Sequence, residues 1–159
     1  MALRIGFGYD VHRVASGRPL MIGGVRFDSD WGLVGHSDAD VLLHAIGDAL
    51  LGAAALGDLG THFPPDDPRW KDASSLDLLR RIRALLDSRH ARVVNVDATL
   101  IAEEPRLAPA RPAICVGVAD ALGIAPEAVS VKATTNERMG AVGRHEGLAA
   151  CAVALIEVS

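Results

Sequence analysis

The sequence has little of three things: aromatic side chains, cysteine and excess positive charge. Aromatics make up only 4% of the 159 residues although 50% are apolar, so Leu, Val, Ile and Ala must fill a core of ordinary size. The formal net charge of -4 argues against a general nucleic-acid binder, which needs a basic surface. A small phosphorylated ligand, which needs only local donors or a metal, stays compatible with this charge.

The scarcity of cysteine and of long apolar runs argues against a cysteine-based metal or redox site and against a membrane protein. The two cysteines, Cys115 and Cys151, form no CxxC pair, and both lie in apolar runs, so we expect two buried thiols. No apolar run of about 18 residues and no signal-like N-terminus is present. We therefore expect a soluble, cytoplasmic protein without a membrane partner, with residues 1–159 forming one domain.

The N-terminal segment 3–12 alternates strictly, which predicts a β-strand. We expect its apolar side chains to pack on the core and its other face to be polar and lined by glycine. The apolar set is Leu3, Ile5, Phe7, Tyr9 and Val11, and the other set is Arg4, Gly6, Gly8, Asp10 and His12.

Apolar periodicity and turn residues predict the remaining elements. Ser37 or Asp38 is expected to cap a helix that ends before Gly57, and Gly23-Gly24 to bend a short strand. The predicted helices span 38–56, 74–89 and 107–122. The predicted further strands span 20–27, 92–102, 129–134 and 148–158. Residues 58–72 are predicted to be a loop. The fold class we predict is α/β, an α+β two-layer sandwich. It has a mixed, mainly four-stranded sheet with helices on one face and a small hairpin.

Asp10 and His12 form the first candidate for a metal site. Residues two apart on a strand project from the same face, with Cα atoms about 6.5–7 Å apart, so both side chains can reach one ion. This pair alone is weak evidence. His44, between apolar residues of the predicted helix, becomes a third ligand only if that helix packs beside the first strand; otherwise it is a hydrogen-bonded core histidine. Asp-His-His with an open fourth position is typical of catalytic zinc.

Polar residues around His44 suggest supporting roles. Asp40 and Asp48 lie one turn before and after His44, on one stripe of the helix. We expect Asp40 to orient His44, while Asp48 is compatible with a solvated face. His36 and Ser37 precede the helix N-terminus, where an anion is favoured, and His36 could donate a hydrogen bond to a phosphate.

The segment 131–147, VKATTNERMGAVGRHEG, is a second candidate site. Its backbone amides, with Thr134, Thr135 and Arg144, are typical of a phosphate cradle. Glu137 adds a hard oxygen ligand suited to Mg²⁺ between phosphates. A plain surface turn is the alternative interpretation.

Five stretches occur in a fixed order along nearly the whole chain: RIGFGYDVHRV, GHSDADVLLHAIGDALLGAAALGDLGTHFP, NVDATLIAEEP, VKATTNERMG and GRHEGLA. With these motifs the chain resembles the 2-C-methyl-D-erythritol 2,4-cyclodiphosphate synthase family of the non-mevalonate isoprenoid pathway. The resemblance implies a phosphorus–oxygen lyase that forms a homotrimer, with active sites between subunits. The implied substrate is 4-diphosphocytidyl-2-C-methyl-D-erythritol 2-phosphate. Its 2-phosphate attacks the β-phosphorus, and CMP leaves.

The resemblance also implies metal and catalytic roles, carried over to matching positions. Asp10, His12 and His44 match ligands of Zn²⁺, and Glu137 matches the ligand of Mg²⁺ or Mn²⁺ that bridges the substrate phosphates. His36 and Thr135 match residues that stabilise the transition state.

Substrate contacts are implied in the same way. The matching positions are Asp10, His12, Ser37, Asp58, Gly60, Phe63, Asp67, Ala102, Pro105, Arg106, Ala108, Thr134, Glu137 and Arg144. Residues 63–67 match a mobile loop over the methylerythritol pocket. Residues 102–108 match a cytidine pocket supplied by the neighbouring subunit.

The chain departs from the family pattern at several positions. Ala141 and Val142 stand where members often carry an aromatic residue, next to a central trimer channel that can hold an isoprenoid diphosphate. Arg106 replaces a lysine of some relatives. Two rival hypotheses stay open: a metal-dependent phosphohydrolase with a water nucleophile, and a non-catalytic binder with a structural metal and a prenyl-phosphate channel.

Overall fold

The computed structural model describes residues 1–159. Its strands are β1 (Ala2–Ser16), β2 (Leu20–Ile22), β3 (Val25–Phe27), β4 (Trp31–Leu33), β5 (Ala91–Ile101), β6 (Val129–Thr134) and β7 (Gly147–Val158). Its helices are α1 (Val41–Ala53), α2 (Leu59–His62), α3 (Ser75–Asp87), α4 (Arg111–Leu122) and α5 (Gly140–Gly143), with short 3₁₀ turns at Pro68–Trp70, Ala108–Ala110 and Pro126–Ala128.

The main sheet has five strands in the order β4-β1-β7-β5-β6. β5 and β6 are parallel and the other pairs are antiparallel, so the predicted mixed α/β fold is confirmed. The fifth strand, β4, was not predicted, because three residues are too few to show a periodicity. The segment 20–27 is the two-stranded hairpin β2–β3, and its turn residues Gly23 and Gly24 both have positive φ, as a tight two-residue turn requires.

The three long helices lie within or close to their predicted ranges, but α1 begins differently. Its N-cap is Asp40, whose carboxylate accepts a hydrogen bond from the backbone N–H of Leu43. The prediction of Ser37 or Asp38 as the cap was wrong, because Ala39 adopts a positive φ of 56° and delays the helix. The predicted loop 58–72 also contains α2 and a 3₁₀ turn.

The two faces of β1 are reversed relative to the prediction. Its alternating apolar side chains, expected to pack on the core, are 50–72% exposed. The glycine-lined face is the packed one: a Cβ built on Gly6 would lie 1.9 Å from the backbone oxygen of Ala49 in α1. Because α1 lies directly on the strand backbone, only glycine fits there, and the bulky side chains face outward.

The core is centred on α1, which is buried along most of its length between the sheet and α3. The expectation of two buried thiols was wrong, since Cys115 and Cys151 are both half-buried. Cys151 lies opposite Tyr9 in the β1–β7 ladder, so it belongs to the outward row of the sheet. None of the helices combines the length and apolar character needed to cross a membrane.

Candidate functional site

The second half of β1 and the first turn of α1 bring together Asp10, His12 and His44. The Asp10 Oδ2 atom lies 2.8 Å from His12 Nε2 and 3.1 Å from His44 Nδ1. The two imidazole nitrogens are 3.1 Å apart. Asp10 Oδ2, His12 Nε2 and His44 Nδ1 thus form a triangle, called the metal triangle below. Atoms bound to one tetrahedral ion at about 2.0–2.1 Å would be separated by about 3.3 Å, so the metal triangle fits a divalent metal. The helix thus packs beside the strand, which is the condition under which the sequence made His44 a third ligand.

Each histidine is held by its other ring nitrogen. His12 Nδ1 lies 2.8 Å from the Val34 carbonyl oxygen, to which it can only donate. This contact leaves the Nε2 lone pair of His12 directed at the triangle. His44 Nε2 lies 3.0 Å from both Ser37 Oγ and Ser75 Oγ. The metal-facing nitrogens are therefore Nε2 of His12 and Nδ1 of His44.

The electrostatics of the triangle favour an ionised carboxylate. Burial alone would raise the pKa of Asp10, but hydrogen bonds and charge from His12 and His44 outweigh it and lower the pKa to about 2. Burial alone would lower the pKa of His12, but its hydrogen bond and charge interaction with Asp10 raise that pKa above 6.5. A cation placed between these groups would take over the role of the imidazolium proton.

A cleft of about 290 Å³ opens beside the triangle. It is lined by Asp10, His36, Ser37, His44, Asp48, Asp58, Leu59, Gly60, Phe63, Pro65, Trp70 and Leu78. Six residues expected from the resemblance to contact substrate or stabilise the transition state thus lie together: Asp10, His36, Ser37, Asp58, Gly60 and Phe63. Asp67 is beside them, because its carbonyl oxygen accepts a hydrogen bond from His36 Nε2 at 2.9 Å.

Two acidic residues of the predicted helix stripe have structural partners. Asp40 is fully buried, and its carboxylate accepts from the amides of Gly23 and Gly24 in the hairpin turn at 2.9 and 2.7 Å. The prediction that Asp40 orients His44 was therefore wrong. Asp48 accepts from the amide of Leu59 at 2.8 Å and lines the cleft, where burial raises its pKa.

Several residues that line the cleft or contact His44 escaped the sequence interpretation. Ser75, at the first turn of α3, contacts His44, while Trp70 and Leu78 supply an apolar wall. Trp70 packs edge-on against Phe63, with ring centroids 4.9 Å apart. No local pattern marks these residues, because their position depends on where α3 and the preceding 3₁₀ turn cross α1.

The second candidate site lies around the turn after β6. A cavity of about 750 Å³ is lined by Glu103, Glu104, Thr135, Glu137, Arg138, Gly143, Arg144 and His145. Glu137 and Arg138 have positive φ, and the Glu103 carboxylate accepts from the amides of Asn136 and Arg138 at 2.9 and 2.7 Å. Three of the predicted cradle residues, Thr135, Glu137 and Arg144, therefore share one polar, charged cavity.

The two candidate sites share no lining residue. Asp10, Ala150, Leu100 and Ala133 are in register across β1, β7, β5 and β6, three strand spacings or about 14 Å. Thr134, the last residue of β6, directly follows Ala133 along the strand. Of the predicted cytidine-pocket residues, Ala102 is buried, whereas Arg106 and Ala108 are exposed and Pro105 is half-buried. These four residues do not line the cleft at the triangle.

Known proteins resemble this chain over nearly its full length. The model of the YgbB family matches residues 3–157. The chain is 62% identical over 152 residues to the 2-C-methyl-D-erythritol 2,4-cyclodiphosphate synthase of Symbiobacterium thermophilum, covering 96% of this chain and 97% of that protein.

Two solved structures show the same fold. The bifunctional IspDF of Campylobacter jejuni superposes with a TM-score of 0.95 at 35% identity, covering 99% of this chain and 43% of that longer chain. The IspF of Plasmodium falciparum in a CDP complex superposes with a TM-score of 0.87 at 31% identity, covering 99% of this chain and 97% of that one. The resemblance stated from the sequence motifs is confirmed.

Proposed function

This chain belongs to the YgbB family, and we propose that it converts 4-diphosphocytidyl-2-C-methyl-D-erythritol 2-phosphate into 2-C-methyl-D-erythritol 2,4-cyclodiphosphate and CMP. The observation that carries the proposal is the convergence of Asp10, His12 and His44 on one metal-sized triangle. It occurs in a chain whose curated relatives, including one of 58% identity from Dechloromonas aromatica, are named for that synthase.

The proposed reaction needs no nucleophile from the protein. An oxygen of the substrate 2-phosphate forms a bond to the β-phosphorus, the bond from that phosphorus to the CMP oxygen breaks, and no water is consumed. The protein must bring two anionic groups together and offset their repulsion. We propose that Asp10, His12 and His44 hold Zn²⁺ and that Glu137 holds Mg²⁺ or Mn²⁺. Bound there, these ions would supply Lewis acidity and neutralise phosphate charge.

The cleft residues divide between binding and charge stabilisation. His36, half-buried at the mouth of the cleft, is placed to donate a hydrogen bond to a phosphate once it releases the Asp67 carbonyl. Ser37, Asp58 and Gly60 line the same cleft and are proposed to contact the methylerythritol phosphate portion. Thr135, Thr134 and Arg144 are proposed to act at the other end of the substrate, around the phosphates that Glu137 approaches.

We propose that a complete active site forms between two subunits of a homotrimer. The metal triangle and the Thr135–Glu137 turn open into separate cavities, so one chain presents two half-sites. The outward face of the sheet supports assembly, because it presents a continuous apolar row that includes Ile5, Phe7 and Val153. Exposed apolar patches of this kind are typical of subunit interfaces.

Further features of the site and of the assembly are proposed from the resemblance. Residues 102–108, including Ala102, Pro105, Arg106 and Ala108, are proposed to read the cytidine of a substrate bound mainly by a neighbouring subunit. We also keep four predictions. Residues 63–67 form a mobile loop, and residues 1–159 form one domain. The protein is cytoplasmic, and an isoprenoid diphosphate binds near Ala141 and Val142. The phosphohydrolase hypothesis finds no support among the relatives.

Phosphorus NMR of the reaction products tests the proposal. The substrate incubated with the zinc- and magnesium-loaded protein should give CMP and a cyclic diphosphate. The His44→Ala variant should lose turnover by at least about 100-fold while staying folded. His90→Asn is the matched control, since His90 is exposed, lies outside both cavities and has a positive φ that asparagine tolerates. A linear bisphosphate as the product would overturn the assignment in favour of hydrolysis.

A further inference from the structure

His44 has contacts on both ring nitrogens, and only one arrangement of its proton serves a metal. Nδ1 faces Asp10 and His12, each at 3.1 Å, while Nε2 faces the hydroxyl oxygens of Ser37 and Ser75, each at 3.0 Å. A neutral imidazole has one N–H and one lone pair. If Nδ1 binds an ion, Nε2 must carry the proton and needs an acceptor.

Ser75 is held as that acceptor by Asp38. Its hydroxyl donates to Asp38 Oδ1 in a short contact, and its backbone N–H donates to Asp38 Oδ2 at 2.9 Å. With its only proton committed to a carboxylate, Ser75 Oγ can only accept from His44. Ser75 is 1% exposed, so water does not compete for this contact.

Ser37 is not constrained in the same way. Its oxygen accepts a long hydrogen bond of 3.4 Å from the amide of Ala39, and no acceptor besides His44 Nε2 lies within reach of its hydroxyl proton. Once the Nε2 proton is donated to Ser75, the Ser37 hydroxyl is free to donate into the cleft that it lines. The two serines therefore have different tasks although they are equally distant from the ring.

We propose that Ser75, fixed by Asp38, is a positioning residue of the metal centre that holds His44 in the tautomer and ring orientation needed for coordination through Nδ1. The inference rests on the proposed function for the identity of the ion. The orienting role that the sequence suggested for Asp40 is thus assigned to Asp38 and Ser75, which form a carboxylate–hydroxyl–imidazole chain with His44. Partners that orient a metal-bound histidine in this way typically change metal affinity by about 10- to 100-fold.

The first test compares Ser75→Ala with Ser74→Ala. Ser74 is the matched control, because it is the adjacent residue, is exposed and makes no side-chain capping hydrogen bond. Zn²⁺ affinity is measured on the metal-free proteins by competition with a chromogenic chelator. Ser75→Ala should bind Zn²⁺ about 10- to 100-fold more weakly than the wild type and Ser74→Ala equally well. Wild-type affinity in Ser75→Ala would overturn the proposal.

A second measurement needs no variant and separates orientation from folding. In the zinc-loaded wild type with ¹⁵N-labelled histidine, long-range ¹H–¹⁵N spectra should show His44 with a protonated Nε2 and a metal-bound Nδ1. Coordination through Nε2 would overturn the proposal even if Ser75→Ala fails to fold. The proposed function fails differently: its failure appears as a linear bisphosphate product in the phosphorus NMR assay, an outcome that does not depend on the Zn²⁺ affinity of Ser75→Ala.

Discussion

Gly8 of β1 lies directly beneath the backbone carbonyl of Ala45 in α1. A Cβ built on Gly8 would be 1.9 Å from that oxygen, far inside any real contact distance. Because strand and helix backbones meet here without side chains between them, His44 comes within 3.1 Å of Asp10, two residues after Gly8. The metal triangle therefore depends on a glycine that contributes no ligand.

Replacing that glycine should destabilise the protein. Gly8→Ala forces strand and helix apart, and we expect a loss of about 2–3 kcal/mol in the free energy of unfolding, together with weaker zinc binding. Gly52→Ala is the control, because a Cβ there meets only the Phe7 oxygen at 4.0 Å and should stabilise α1 by up to about 1 kcal/mol. Urea unfolding of the metal-free proteins measures both effects; equal stability of Gly8→Ala and the wild type would refute the close packing.

The outward row of the sheet should carry the subunit interface. Phe7 is 64% exposed in the single chain, and Phe7→Lys should convert the proposed trimer to a monomer, because burying an unpaired charge in the interface is costly. Val116→Lys on α4 is the control, with a similarly exposed side chain on a different surface, and should leave the assembly state of the wild type unchanged. Light scattering during size-exclusion chromatography gives the masses. A wild type that runs as a monomer would contradict the assembly.

Zinc affinity should fall as the pH drops through the pKa of His12. The imidazole must lose its proton to bind, and because Asp10 raises the pKa of His12 above 6.5, protons compete with zinc at a higher pH than for a free imidazole. Asp10, with a pKa of about 2, stays ionised over this range and adds no dependence. Chelator competition between pH 5.5 and 8.5 tests this. An affinity that is flat between about pH 6 and 7.5 would show that His12 is not a ligand.

The metal-free protein should show the opposite trend with pH. A histidine whose folded pKa is raised stabilises the fold fully below its unfolded pKa of 6.5, and this contribution disappears as the pH rises through the folded value. The Asp10 contribution is present above pH 3.8 and is lost as the pH falls toward about 2. Urea unfolding at pH 5 and pH 8 should therefore show an alkaline loss of stability that His12→Gln lacks.

Glu103 should act through the turn that carries Thr135 and Glu137. Its carboxylate accepts from two backbone amides of that turn, so Glu103→Ala should raise the KM for substrate about 10-fold or more, with zinc affinity unchanged. Glu127→Ala is the control, since Glu127 is an exposed glutamate that lines neither candidate site. Steady-state kinetics with zinc titration test this. A KM equal to that of Glu127→Ala would mean that the turn holds its shape without Glu103.

Local patterns predicted most of the elements and the ligand types. The alternation of 3–12 placed Asp10 and His12 on one face, and the apolar stripe around His44 identified α1, because both depend only on the geometry of a single element. Short pieces such as β4 and α2 escaped, since three or four residues show no periodicity.

The sequence by itself determined that an aspartate and two histidines were available at suitable spacings, and its motifs indicated the family. Only the tertiary structure decided which face of β1 is packed. Alternation defines two faces of a strand, but the choice between them depends on what lies on each side, here a helix that tolerates nothing larger than glycine at Gly6 and Gly8. The same holds for Ser75, which reaches His44 from 31 residues away through the crossing of α3 and α1.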